Sequence, residues 1–256
     1  MQKRTAAAAA LLLMTATACG DVDDGSSGNG GGGGTLTVFA AASLTEAFGA
    51  LGRTFEQAHP GTKVRFNFGG SSTLAQQITQ GAPADVFAAA SPATMKTVTD
   101  AGDAAGNPQV FTRNRLVIAL PKDNPGKVRA VGDLSRPGLK VVLCAVQVPC
   151  GAAADKALGA AGVKVRPVSR EKDVKAVLTK VGLGVAEAGL VYRTDVRAGA
   201  GKVAGVEFAE AARAINDYPI VPLAHAPRGS LAREFVRLVL GPQGRDALGR
   251  AGFEAP

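Results

Sequence analysis

The chain has 256 residues, 29 Lys and Arg against 21 Asp and Glu for a net charge of +8, and 46% hydrophobic residues. That balance excludes wholesale disorder, the 33 glycines follow no Gly-X-Y period, and 10 Phe, 2 Tyr and no Trp are too few rings for a single-stranded nucleic-acid binder. Two histidines and three cysteines do not build a four-ligand zinc site at the usual spacings, which leaves one or two compact domains.

The chain opens with Gln2-Lys3-Arg4, a short apolar stretch over 6–14, and small residues up to Cys19. The stretch is too short for a permanent membrane span and reads as an export signal. Ala16-Thr17-Ala18-Cys19-Gly20 has the small-x-small-Cys-Gly form and resembles the lipobox of bacterial lipoproteins. The resemblance implies that residues 1–18 are removed and that Cys19 is diacylated as the first mature residue. A plain signal peptide with an incidental Cys19 is the alternative. Cleavage before Cys19 leaves 238 residues and, with Lys3 and Arg4 gone, a net charge of +6. Residues 20–34 hold eight glycines and are read as a flexible tether. No later segment approaches eighteen apolar residues. Outside the reducing cytoplasm, Cys144 and Cys150, six positions apart, are expected to form a disulfide, with two buried thiols as the alternative.

The body alternates strands and helices. An apolar strand at 36–40 leads into Ala41-Ala42-Ser43 and a helix over 44–58 with Leu44, Ala47, Phe48, Leu51 and Phe55 on one face. A strand at 63–68 is followed by Gly69-Gly70-Ser71-Ser72 and a helix over about 73–80; a third strand lies at 84–88, and Ser91-Pro92 opens the next helix. Strands are predicted at 115–120, 140–146, 188–192 and 218–223, and helices at 151–158, 173–181, 230–240 and 243–250. Such alternation implies mostly parallel sheets covered by helices on both faces, in two lobes with a cleft between them.

Two serines in this map carry chemistry. Ser43 and Ser71 each follow a predicted strand and open a helix amid small residues. A serine there caps the helix, or it offers its hydroxyl and neighbouring amides to an anion at the positive end of the helix dipole. Ligands of α/β folds sit at the carboxyl ends of the strands, where both serines are expected.

Residues 37–47, Thr-Val-Phe-Ala-Ala-Ala-Ser-Leu-Thr-Glu-Ala, resemble the opening of the molybdate-binding proteins of ABC transporters. The stretch from Phe68 to Ile78, Gly81-Ala82-Pro83-Ala84-Asp85-Val86-Phe87, Gly189-Leu190-Val191-Tyr192-Arg193-Thr194-Asp195 and Tyr218-Pro219-Ile220 follow the same family pattern in order. The resemblance implies a two-lobed type II periplasmic-binding-protein fold, with lobe 1 at 35–116 and 222–256 and lobe 2 at 117–221. It implies an exported, lipid-anchored, monomeric binding protein that delivers molybdate, and tungstate as well, to a permease. No catalysis, cofactor or nucleic acid is expected, and molybdenum enters only as the bound oxyanion.

Carried over by position, the ligand shell is Ser43, Ser71, Tyr192 and the backbone amides of Val174 and Cys150. The last stretch departs from the family, with Cys150 in place of a small residue and Ala153 where an aromatic usually stands. The inferred shell holds donors and no carboxylate, which favours a fully deprotonated dianion over hydrogen phosphate. Sulfate or another oxyanion is the nearest alternative, and an exported hydrolase a distant one, since no Gly-x-Ser-x-Gly elbow occurs. His59 and His225 are read as ordinary surface or satisfied histidines, Asp85 as a cap or brace, Tyr218 as packing or hinge, and Arg193 with Asp195 as a strand-end salt bridge.

Overall fold

The structure is a computed structural model, and it describes residues 34–256. The expected leader, Cys19 and all but the last residue of the tether lie outside the described residues. No helix among the described residues is long and apolar enough to cross a membrane.

Among the described residues, ten strands form two sheets of five. The first holds β1 (Thr35–Ala41), β2 (Lys63–Gly69), β3 (Val86–Ala88), β4 (Gln109–Asn114) and β10 (Asn216–Pro222), in the order β2-β1-β3-β10-β4. The second holds β5 (Leu116–Pro121), β6 (Val141–Cys144), β7 (Ser169–Glu171), β8 (Ala188–Tyr192) and β9 (Val203–Val206), in the order β7-β6-β8-β5-β9. Each sheet has two parallel and two antiparallel pairings, so the sheets are mixed rather than purely parallel. One strand in each, β10 or β5, runs against the other four. Both reversed strands begin where the chain crosses between the lobes.

Helices α1 (Thr45–Ala58), α2 (Ser71–Thr79), α3 (Pro92–Asp100), α7 (Gly229–Leu240) and α8 (Pro242–Ala251) accompany the first sheet; α4 (Pro149–Ala161), α5 (Val174–Gly182) and α6 (Arg193–Ala198) accompany the second. Alternation along β1 explains why helices are needed on both faces of its sheet. Leu36, Val38 and Ala40 enter one apolar cluster with Phe48, Phe55 and Phe235, while Phe39 enters another with Leu74, Ile78 and Phe87. In the second lobe Gly189 lets α5 approach the sheet, because a Cβ there would lie 2.7 Å from Val177.

The lobes are joined by crossings at Arg115, between β4 and β5, and at Ile215, before β10. These crossings are adjacent, since Asn216 pairs with Asn114. The return to the first lobe expected at 222 is therefore corrected to Asn216: β10 already pairs with β3 and β4 of that lobe's sheet. Leu116, placed in lobe 1 by the sequence, pairs with Tyr192 in the second sheet.

Candidate functional site

Strands β1, β2 and β3 of one lobe and β6, β7 and β8 of the other end against a common small cavity. Ser43, Gly70, Ser71 and Ala90 line it from the first lobe, and Val148, Cys150, Asp173, Val174 and Tyr192 from the second. Ser43, Ser71, Cys150, Val174 and Tyr192, spread over 150 positions of sequence, are thus brought to one hollow, and every one of them is buried.

Neither serine caps a helix. The turn at Ala42–Leu44 and helix α1 have Ala41 and Leu44 at their N-caps, and α2 has Gly70, none with a side-chain cap bond. The two hydroxyls are engaged elsewhere. Ser71 Oγ accepts the backbone N–H of Ala90 at 3.0 Å, which leaves its own proton free. Ser43 Oγ lies 2.9 Å from the Tyr218 hydroxyl, both buried. Helix α2 begins at Ser71, two residues earlier than the spacing predicts, so Ser71 contributes an end-of-helix amide as well as a hydroxyl.

The second lobe contributes amides. Helix α4 starts with Pro149, which has no N–H, so Cys150 carries its first donor; the N–H groups of Gly151 and Ala152 already turn back to Val148. The Cys144–Cys150 disulfide ties this end of α4 to the end of β6. A Cβ on Gly151 would stand 1.9 Å from the Ala145 carbonyl, so the tight loop requires glycine there. At α5, Asp173 caps through the N–H of Ala176 at 2.9 Å, leaving Val174 as the first amide.

Tyr192 closes the set from the end of β8. Its hydroxyl is buried and has no hydrogen-bond partner among the described residues. Burial, with the neighbouring Tyr218 and Asp195, pushes its pKa well above that of a free phenol, so it remains a neutral donor. An unpartnered buried hydroxyl costs about 1–3 kcal/mol, and a ligand in the cavity relieves that cost. Among the described residues the lining has no Lys or Arg; neutral donors and the positive ends of α2, α4 and α5 face the hollow. Asp173 also lines it, its carboxylate accepting the Ala176 N–H in the capping role that leaves the Val174 amide exposed.

The lobes meet around the cavity. Ser72 Oγ donates to the Gln147 carbonyl, and Lys175 reaches Glu46 at 2.8 Å across the cleft and Asp195 at 3.3 Å within its own lobe. The backbone of Gly70 sits so close to the opposite lobe that a Cβ would lie 2.2 Å from the Lys172 carbonyl. Asp195 is fully buried, and desolvation raises its pKa to about 6 although Lys175 and the Tyr192 N–H pull it down.

The residues set aside in the sequence have definite places. Asp85 accepts the N–H groups of Thr37 and Arg228 and braces β1. His59 joins Glu234 and the Phe55 carbonyl. Arg193 and Asp195 do not pair, which corrects the expected salt bridge: Arg193 leaves the strand end outward to Glu207 and Glu254, whereas Asp195 turns inward to Lys175. Tyr218 and Gly70 were missed as parts of the site. Tyr218 touches Ser43 only through tertiary folding, and Gly70 matters only once the second lobe stands opposite.

A model of the bacterial extracellular solute-binding proteins matches residues 36–254. The molybdate-binding protein ModA of Mycobacterium tuberculosis is 47% identical over 222 residues, covering 87% of this chain and 85% of that protein. Among solved structures, the substrate-binding domain of a molybdenum ABC transporter described as putative, from Clostridium difficile, is 27% identical with a TM-score of 0.64, covering 87% of this chain and 99% of that one. The periplasmic molybdate-binding protein of Azotobacter vinelandii shares the fold at a TM-score of 0.75 and 22% identity, over 86% of this chain and 99% of that one. With the family matched across both lobes, this chain belongs to the bacterial extracellular solute-binding proteins.

Proposed function

We propose that the protein captures molybdate, and tungstate with it, outside the cytoplasmic membrane and hands it to the permease of an ABC importer. The observation that carries this reading is the shared cavity: buried hydroxyls and first-turn amides from both lobes converge on a hollow lined by no cation. A buried dianion is costly unless each oxygen is hydrogen-bonded, and hydroxyl and amide donors supply charge-assisted bonds. Ser43, Ser71 and Tyr192 hydroxyls and the Cys150 and Val174 amides are the proposed ligands. Relatives named for molybdate binding favour this oxyanion over sulfate. The protein acts as a monomer that binds its solute without transforming it. Contacts to both lobes at once favour the closed arrangement.

Isothermal titration with molybdate, tungstate, sulfate and phosphate tests the reading. Saturable 1:1 binding of the first two, with sulfate and phosphate much weaker, is the expected result; preference for sulfate would transfer the site to that anion. Diacylated Cys19 and the glycine-rich tether would hold the body near the membrane. Cys19→Ser is then expected to release the protein into the soluble fraction, and membrane retention of that variant would remove the anchor from the scheme.

A further inference from the structure

We propose that Tyr218 is a positioning residue that fixes the direction of the Ser43 proton, so that Ser43 presents that proton to the bound oxyanion. The proposal rests on the oxyanion-binding reading of the cavity and adds to it a residue that does not line the cavity.

Tyr218 lies on β10, two residues after the chain re-enters the first lobe, and is fully buried. Its ring is gripped on several sides. Tyr192, Phe253 and Phe111 pack against it edge-on, with centroids at 6.0, 5.5 and 6.4 Å. The phenolic oxygen is therefore delivered to a fixed point, 2.9 Å from Ser43 Oγ.

Two hydroxyls at that distance share one proton between them, and acidity decides which. A phenol is a much stronger acid than an aliphatic alcohol, so Tyr218 donates and Ser43 accepts. Burial raises the pKa of Tyr218 further, so its proton is present at any pH at which the protein works. With one lone pair of Ser43 Oγ occupied by Tyr218, the serine's own proton is turned away from it and toward the cavity that Ser43 lines. An anion pulling on that proton strengthens the chain Tyr218–Ser43–oxyanion beyond its separate links. Ser71 has the same polarity by another route, because the Ala90 N–H can only donate to it. Both serines are thereby set to give their protons toward the cavity. Without Tyr218, Ser43 Oγ is free to rotate, and its lone pairs become available to a protonated ligand.

The test is a double-mutant cycle in the full chain, read by titration with molybdate and with phosphate. Tyr218→Phe keeps the ring and its packing and removes only the hydroxyl. It is expected to weaken molybdate binding by about 5- to 30-fold when Ser43 is present, and by less than about twofold in a Ser43→Ala background. The ratio of molybdate to phosphate affinity falls in Tyr218→Phe, since the freed serine oxygen can then accept. Equal weakening with and without Ser43, or no weakening at all, overturns the proposal. Failure of the unaltered protein to bind molybdate would instead remove the reading on which it rests. Should Tyr218→Phe not fold, 3-fluorotyrosine placed at position 218 serves the same purpose. A more acidic phenol donates more strongly, so tighter binding is expected, and weaker or unchanged binding overturns the proposal.

Discussion

Replacing Tyr192 by phenylalanine moves stability and binding in opposite directions. The hydroxyl is buried at the end of β8 and has no partner among the described residues, so the ligand-free protein carries its desolvation cost of about 1–3 kcal/mol. Tyr192→Phe keeps the ring against Tyr218 and removes that cost. For a folded body of this size, each 1 kcal/mol moves Tm by roughly 2–4 °C, so the ligand-free variant should melt about 2–12 °C higher. Binding changes the other way, because a hydrogen bond to a charged oxygen is lost: about 1.5–3 kcal/mol, or roughly 10- to 150-fold in Kd. Thermal melting with and without saturating molybdate, together with titration calorimetry, reads both effects on one preparation. The melting curves should cross: the variant is the more stable without ligand and gains less from it. A ligand-free Tm that falls, together with unchanged affinity, would show that the hydroxyl is neither orphaned nor aimed at the oxyanion.

Ser71→Ala should weaken binding by a similar factor but lower the ligand-free stability by about 1–3 kcal/mol, because it strips the buried Ala90 N–H of its acceptor; a Tm above that of the unaltered protein would contradict this. Gly70→Ala introduces a Cβ where only 2.2 Å separates it from the Lys172 carbonyl, while its φ of −61° is open to any residue. Its ligand-free Tm should therefore hold, whereas binding weakens at least about tenfold as the lobes are kept apart; scattering that shows the same ligand-induced compaction as the unaltered protein would refute this. Asp195 titrates near 6 when folded against 3.8 ordinarily, so the native state holds its proton more tightly than the unfolded chain. Its contribution to stability is complete below about pH 4 and is lost as pH rises through about 6. Asp195→Asn, which keeps an acceptor for the Tyr192 N–H, should accordingly gain about 2 kcal/mol relative to the unaltered protein between about pH 4.5 and about pH 7.5 in urea unfolding, and parallel pH profiles would exclude the desolvation account.

Much of the architecture was legible because it is local. A short apolar run marked β1, helical periodicity marked α1, and the Ser91-Pro92 signal marked α3, whose Ser91 does accept the Thr94 N–H. Strands β4, β7 and β9 and helix α6 escaped detection. Gln109–Asn114 mixes polar and apolar residues without a clear period, Ser169–Glu171 is three polar residues at a sheet edge, and Val203–Val206 contains glycine. These segments are strands because a neighbouring strand offers them hydrogen bonds, which is a property of the sheet. The lobe boundary at β10 was misplaced for the same reason, since a strand's sequence does not say which sheet it joins.

Residue types and their order gave the alternating body, the helix beginnings rich in small residues, and the family pattern that singles out Ser43, Ser71, Cys150, Val174 and Tyr192. Those are short-range properties, set by backbone sterics, capping and side-chain period. Which hydroxyl lacks a partner, which hydroxyl Ser43 meets, and where a glycine must let two lobes touch were decided by tertiary structure alone. Each depends on atoms far apart in the chain, and a hydrogen bond or a steric clash exists only at a distance that the folded backbone sets.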